Sequence, residues 1–215
     1  MKAGLIGIVC VIGLAALTIA TLSDQLSAYE IELVKWIIYL RHETLTALIQ
    51  ALTFITSALP ALLLTVGLSI AEMSRTRQAW RNHHEAGWIG ALARSFSYWP
   101  ALAYLGALIC NIVLRIAVGR LAPEVDYIPH ALPELRADFQ RFAFPSGHAG
   151  AAVAAYVSAA IVVSKRTPRL RIWAWLAAGI VVIGTGFGRV YLGVHWPTDV
   201  LAGFLLAGAW VALGV

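Results

Sequence analysis

Arg189, His195 and Asp199 stand six and then four residues apart near the end of the sequence, and Pro145-Ser146-Gly147-His148 precedes them. A carboxylate one helical turn beyond a histidine can hold one of its ring nitrogens, and Pro197 suits the first turn of such a helix. The other nitrogen of His195 is then left unprotonated, which makes the imidazole a general base or a nucleophile. Arg189 converges on the same place from the preceding segment. Its charge cannot be lost, which suits a phosphate or a carboxylate.

In the earlier group Pro145 sets a turn, Ser146 caps the helix that follows, and Gly147 lets an anion approach the backbone. Free amides and the helix dipole favour negative charge at that point. His148, in the first turn, is placed to protonate a leaving oxygen. Two histidines flanking an anion nest suit in-line phosphoryl transfer, one attacking and the other protonating. Arg115 and Arg120, just ahead of Pro123, can reach the same anion. Basic residues at the end of an apolar stretch also reach for water with no further role.

The elements that must position these groups are strongly apolar. Of 215 residues, 60% are hydrophobic and 13% charged, with a mean hydropathy of +0.78. A soluble domain carries about a quarter charged residues, so the expected class is all-α, an integral membrane bundle of six transmembrane helices. Six stretches approach the ~20 residues needed to cross a bilayer. They are Ala3 to Leu22, Ala47 to Ala71, Ser97 to Val118, Gly147 to Val163, Ile172 to Gly188, and Thr198 to Val215. The first is read as a retained crossing, because its run exceeds a secretory signal core and no small-residue cleavage site follows. The sixth reaches Val215 without a basic tail, as a shortened chain would. No repeat or linker divides the sequence, so residues 1–215 read as one domain. Ionisable groups at the ends of such stretches are costly, and point to a site before they point to packing.

The net charge of +5 is distributed by topology, and no nucleic-acid partner is expected. One connection carries Arg75, Arg77, Arg81 and Arg94, and another carries Lys165, Arg166, Arg169 and Arg171. Short basic connections stay in the cytoplasm. Both termini then fall in the cytoplasm, and the histidine–arginine groups face the other side of a plasma or inner membrane.

The remaining features are quieter. Cys10 and Cys110 fall within apolar stretches and read as packing residues. In residues 24–46, Leu33, Trp36, Ile37 and Leu40 recur at helical spacing, suiting either an amphipathic surface helix or a packed loop helix. Trp88, Trp99, Trp173 and Trp196 read as interfacial anchors, and His83 and His84 as a solvated basic face. The stretch from Leu121 to Phe144 holds Glu124, Asp126, His130, Glu134, Arg136, Asp138 and Arg141, and a polar loop of this length suits a cap over the site. His148, His195 and Asp199 could ligate zinc. Asp199 already has a use in orienting His195, however, and nearby arginines repel a cation, so no metal or cofactor is expected.

These motifs resemble the type 2 phosphatidic acid phosphatase superfamily. Its pattern is Lys-x6-Arg-Pro, then Pro-Ser-Gly-His, then Ser-Arg-x5-His-x3-Asp. The middle block is complete as Pro145-Ser146-Gly147-His148, and the last matches as Gly188-Arg189-x5-His195-x3-Asp199, with glycine replacing serine. The first block departs: aligned on Pro123, Arg115 stands for the lysine and Ala122 for the arginine, with Arg120 two residues earlier. The resemblance implies that His195 attacks phosphorus to form a phosphohistidine, that Asp199 orients it, and that His148 serves as general acid and base. It also implies phosphate-binding by Arg115, Arg120, Ser146, Gly147 and Arg189, with Arg120 compensating for Ala122 and Arg141 helping. The expected activity is metal-independent dephosphorylation of a membrane lipid phosphate or diphosphate, of polyprenyl diphosphate or phosphatidylglycerol phosphate type. A lipid-to-lipid phosphotransferase of the same fold and a non-catalytic lipid-binding or scaffold protein are the alternatives. The sequence is silent on oligomeric state.

Overall fold

The computed structural model describes residues 2–82, 97–123 and 142–215. Among these the chain is helical, apart from one isolated bridge between Leu121 and Phe142. The helices are α1 (Lys2–Leu22), α2 (Ser27–Tyr39), α3 (Glu43–Ile55), α4 (Ala58–Asn82) and α5 (Trp99–Val118). After the second gap come α6 (Gly147–Ala152), a π turn (Val153–Val157) and α7 (Ser158–Arg166) as one rod, then α8 (Arg171–Tyr191) and α9 (Pro197–Ala212).

Among the described residues, five helical stretches are long and apolar enough to cross a membrane: Ala3–Leu22, Ala58–Thr76, Trp99–Val118, Gly147–Arg166 and Pro168–Tyr191. Two of the six expected crossings come out differently. The helix over Pro197–Ala212 is a shorter apolar one of 16 residues. The stretch from Ala47 to Ala71 is two helices, because α3 stops at Ile55 and α4 begins at Ala58. At the break the Thr56 hydroxyl donates to the carbonyls of Thr53 (3.1 Å) and Leu52 (3.4 Å). Pro60 lies in the first turn of α4, where its missing N–H is tolerated but cannot continue the preceding helix. Every residue around the break is apolar or small, so hydropathy runs across it unbroken.

Helix α9 is the centre of the bundle, packed by α1, α5, α6 and the π turn, while α8 lies against α2, α3, α6 and α7. Small residues permit the close approaches. A Cβ on Gly203 of α9 would lie 2.4 Å from the Ser146 carbonyl oxygen and 3.1 Å from the Ala149 side chain. One core cluster gathers Val34, Ile37, Ile38 and Ile49 with Val190, Tyr191 and Val200, and a second joins Ala61, Tyr104 and Ala107 to Ala151, Val153 and Ala207. Elsewhere the long helices present apolar side chains outward, among them Leu5, Ile12, Leu63, Ile109, Ile116, Ile172 and Ile180. That is the surface a hydrocarbon solvent requires.

The helix expected in residues 24–46 is α2, and its inward face differs from the stripe seen in the sequence. Glu30, Val34, Ile37 and Ile38 are buried, whereas Leu33, Trp36 and Leu40 are exposed beside Tyr29 and Tyr39. His83, His84, Trp88 and Arg94, and the polar stretch from Glu124 to Arg141, lie outside the described residues.

Candidate active site

The first anchor is the turn before α6. Ser146, fully buried, caps the helix by accepting from the Ala149 N–H at 3.5 Å, as its type and place predict. Its own N–H donates to the backbone carbonyl of Asp199 at 2.8 Å. The Pro145 carbonyl accepts from Asn111 Nδ2 (3.0 Å) and Arg115 Nη2 (3.3 Å), both on α5. The turn is therefore tied to α5 on one side and α9 on the other. Asn111 is a contributor that the motif spacing misses. Its signal is an amide inside an apolar stretch, one turn before Arg115.

The second anchor is the corner between α8 and α9. Arg189 sits in the last turn of α8, which is capped at Leu192, and Gly193 turns the chain in the left-handed region at φ 71°. His195 follows, 5% exposed, and Pro197 opens α9 as the sequence predicts. Tyr191, fully buried, fixes this corner from below. Its carbonyl accepts from Arg41 Nε (3.0 Å) and Nη2 (2.8 Å), and its hydroxyl accepts from the His42 N–H (2.9 Å) and pairs with Thr46 Oγ1 (2.9 Å).

Asp199 is placed as expected but occupied more fully. Its Oδ2 accepts from the Trp196 N–H at 2.8 Å and its Oδ1 from Arg120 Nη1 at 2.8 Å. His195 Nδ1 stands 3.6 Å from Oδ2 and has no hydrogen-bond partner among the described residues, so the pair is electrostatic rather than a closed hydrogen bond. Burial pushes the His195 imidazole below its ordinary range, and the charges of Arg189 and Arg115 act in the same direction against the pull of Asp199. The ring is thus held neutral, with electron density available to attack.

Five of the named residues converge. Arg115, Gly147 and His148 line one cavity of about 260 Å³ with Thr56, Tyr104, Leu108, Ile112 and Leu206. His148 lies within reach of the charges of Arg189 and Arg115 and of the His195 ring. Among the described residues, the Nε atoms of Arg115 and Arg189 are buried without a hydrogen-bond partner. Two guanidinium groups with donors to spare beside two imidazoles make an anion site.

Arg120 does not join this group. Gly119 ends α5 in the left-handed conformation at φ 62°, which turns the next residue away from the Arg115 side. Arg120 Nη1 donates to Thr198 Oγ1 (2.6 Å) and Asp199 Oδ1, Nη2 pairs with Glu30, and its guanidinium lies 5.2 Å over the Trp196 ring. The resemblance gives Arg120 a phosphate-binding role in place of the missing arginine at Ala122; its described contacts are with Thr198, Asp199 and Glu30, and through them the guanidinium braces Asp199. Trp196, expected as an interfacial anchor, is the lid on that brace, with Nε1 donating to the Leu121 carbonyl at 2.9 Å.

A sequence model of the PAP2 superfamily matches residues 96–215. The chain belongs to the PAP2 superfamily. Among curated relatives, phosphatidylglycerophosphatase B of Bacillus subtilis is 35% identical over 99 residues, 45% of each chain. The undecaprenyl-diphosphatase of Sulfolobus acidocaldarius is 30% identical over 111 residues, 52% of this chain and 49% of its own. The lipid A 4'-phosphatase of Bacteroides thetaiotaomicron is 30% identical over 131 residues, 54% of this chain and 55% of its own. The chain thus spans about half the length of the curated relatives it matches. The crystal structure of a transmembrane PAP2 type phosphatidylglycerolphosphate phosphatase from Bacillus subtilis superposes with a TM-score of 0.75 at 23% identity, over 97% of this chain and 93% of that one. The PAP2 fold is therefore shared across nearly the whole chain, including α1–α4, which the family match does not reach.

One departure from the PAP2 pattern now has a physical reason. Gly188 stands where the family pattern has serine, and a Cβ there would lie 2.7 Å from Ile49 Cγ2 of α3. The isoleucine fills the space that a serine side chain would need.

Proposed function

We propose that this chain is a membrane phosphatase that removes the terminal phosphate of a lipid mono- or diphosphate without a metal, through a phosphohistidine. The observation that carries the reading is the meeting of neutral, buried His195 with His148 and with the spare donors of Arg115 and Arg189. His195 attacks phosphorus, the bond from phosphorus to the lipid oxygen breaks, and His148 gives that oxygen its proton. A water then loses a proton to His148 and attacks the same phosphorus, the phosphorus–nitrogen bond breaks, and phosphate leaves. Arg115 and Arg189 hold the equatorial oxygens while charge shifts, and Ser146 and Gly147 shape the turn beside them.

The named activities of the relatives, on phosphatidylglycerophosphate, undecaprenyl diphosphate and lipid A, suggest the substrate class. The apolar walls of the cavity, Tyr104, Leu108, Ile112 and Leu206, favour a substrate whose tail lies against α5 and α9. α9 is read as a sixth crossing, with both termini in the cytoplasm and the site on the outer face. In support, the basic ends of α4 and α7 lie together, joined by the Arg166–Glu72 pair at 2.5 Å, while the histidines occupy the opposite ends of their helices.

The test is phosphate release by purified protein in detergent with excess EDTA, offered polyprenyl diphosphate, phosphatidylglycerol phosphate and phosphatidic acid in parallel. Release that survives EDTA and vanishes in His195→Ala is the expected result. Folded protein that releases phosphate from none of them overturns the reading, and phosphate recovered on a second lipid would make it a transferase.

A further inference from the structure

The geometry points to Glu30, on α2, as a positioning residue for the histidine nucleophile, acting through Arg120 and Asp199. This rests on the phosphatase reading above, and adds a residue that lies outside the family match and outside every motif.

Glu30 is 5% exposed, on an otherwise apolar helix face with Val34, Ile37 and Ile38. A carboxylate is not buried there for packing. Its Oε1 accepts from the Thr198 N–H (2.9 Å) and Thr198 Oγ1 (2.7 Å), and its Oε2 is paired with Arg120 Nη2. Thr198 is the residue before Asp199, in the first turn of α9. Glu30 thus holds the start of that helix and the guanidinium that grips Asp199.

Charge gives the contact a consequence. Arg120 alone would cancel Asp199 and leave His195 among cations. The groups acting on His195 are Arg115 from α5, His148 from α6, Arg189 from α8 and Asp199 from α9, and Arg120 reaches it through its pair with Asp199. With Glu30 included, the Glu30–Arg120–Asp199 chain keeps one net negative charge beside Nδ1. That charge stabilises the cationic ring formed when the other nitrogen bonds to phosphorus.

The test is the pH profile of kcat and KM for Glu30→Gln and Arg120→Gln against wild type, in detergent, with one lipid diphosphate. Substrate ionisation is common to all three, so only differences between limbs count. Glu30→Gln is expected to lower kcat by about tenfold or more, leave KM within about twofold, and move the acidic limb to lower pH. Arg120→Gln, which frees the negative charge, is expected to move it to higher pH. Glu30→Asp, which keeps the charge, should return the limb toward wild type. Opposite shifts support the proposal. An unmoved limb in Glu30→Gln, whatever the yield of protein, overturns it. If Glu30→Gln does not fold, Arg120→Gln decides alone: a raised KM with an unmoved limb makes Arg120 a substrate ligand and Glu30 a structural residue. A wild type that releases no phosphate fails the phosphatase reading instead, before any variant is compared.

Discussion

The backbone N–H of Ser146 donates to the backbone carbonyl of Asp199 at 2.8 Å. One hydrogen bond therefore sets the position of the Pro-Ser-Gly-His turn relative to the His-x3-Asp helix. Side chains cannot adjust it. The alignment of the two histidines depends on how closely α6 and α9 can approach.

That dependence makes Gly203 critical. A Cβ there would come within 2.4 Å of the Ser146 carbonyl oxygen, which is backbone and cannot swing away. Gly203→Ala is expected to destabilise the protein by about 1–3 kcal/mol and to lower kcat in the fraction that remains folded. Thermal unfolding in detergent, paired with initial rates, checks both. Wild-type behaviour in both would mean that the helices can part at no cost.

The state of His195 predicts the pH dependence. Its folded value is depressed below the ordinary imidazole value of 6.5, by burial first and by Arg189 and Arg115 next. A depressed value means that the proton leaves more readily, so the nucleophile stays neutral below about pH 6.5. The acidic limb of kcat/KM assigned to this group should therefore lie below that value, and activity should persist into mildly acidic buffer. A limb at or above about 6.5 would contradict the assignment.

Position 188 and Ile49 should be coupled. Gly188→Ser alone is expected to cost about 1–3 kcal/mol by overpacking, and markedly less in an Ile49→Ala background, where the obstructing Cγ2 is gone. A double-mutant cycle on thermal stability measures the coupling. Additive losses would show that α3 yields without strain.

Tyr191→Phe should act on stability more than on chemistry. The hydroxyl satisfies the His42 N–H and Thr46, and its loss leaves a partly buried donor unpaired, at about 1–3 kcal/mol. The Tyr191 carbonyl keeps both hydrogen bonds from Arg41, so kcat should stay within a few-fold of wild type. A large fall in kcat at unchanged melting temperature would place Tyr191 nearer the chemistry than its contacts do.

The motif residues were legible because their chemistry is local. Ser146 as the cap of α6 and Pro197 at the start of α9 follow from residue type and place along the chain, and both stand there, whereas the spacing of His195 and Asp199 brings them to 3.6 Å without closing a hydrogen bond. The direction of Arg120 is not legible in the sequence, because it depends on Gly119, whose left-handed turn separates it from Arg115. Sequence distance from the anion site carried no information about that turn. The break at Thr56 was hidden for a related reason: hydropathy records composition, and a break made by a hydroxyl and a proline among apolar residues leaves composition unchanged. Glu30 did leave a signal, an acid at helical spacing with Val34 and Ile37. The more conspicuous stripe of Leu33, Trp36, Ile37 and Leu40 divides in the structure, with Ile37 buried beside Val34 and the other three exposed.

The brace around the corner of α8 and α9 also bears on modularity. Every motif lies in residues 96–215, yet Glu30, Arg41, Thr46 and Ile49, which hold that region in place, come from the first 55 residues. The C-terminal half is thus not a transplantable unit. A chimera that joins it to the N-terminal half of another lipid phosphatase inherits a glycine shaped for one isoleucine and an arginine awaiting one glutamate. Only grafts that carry those N-terminal partners across should work, and the junction belongs ahead of α2 rather than just before the motifs.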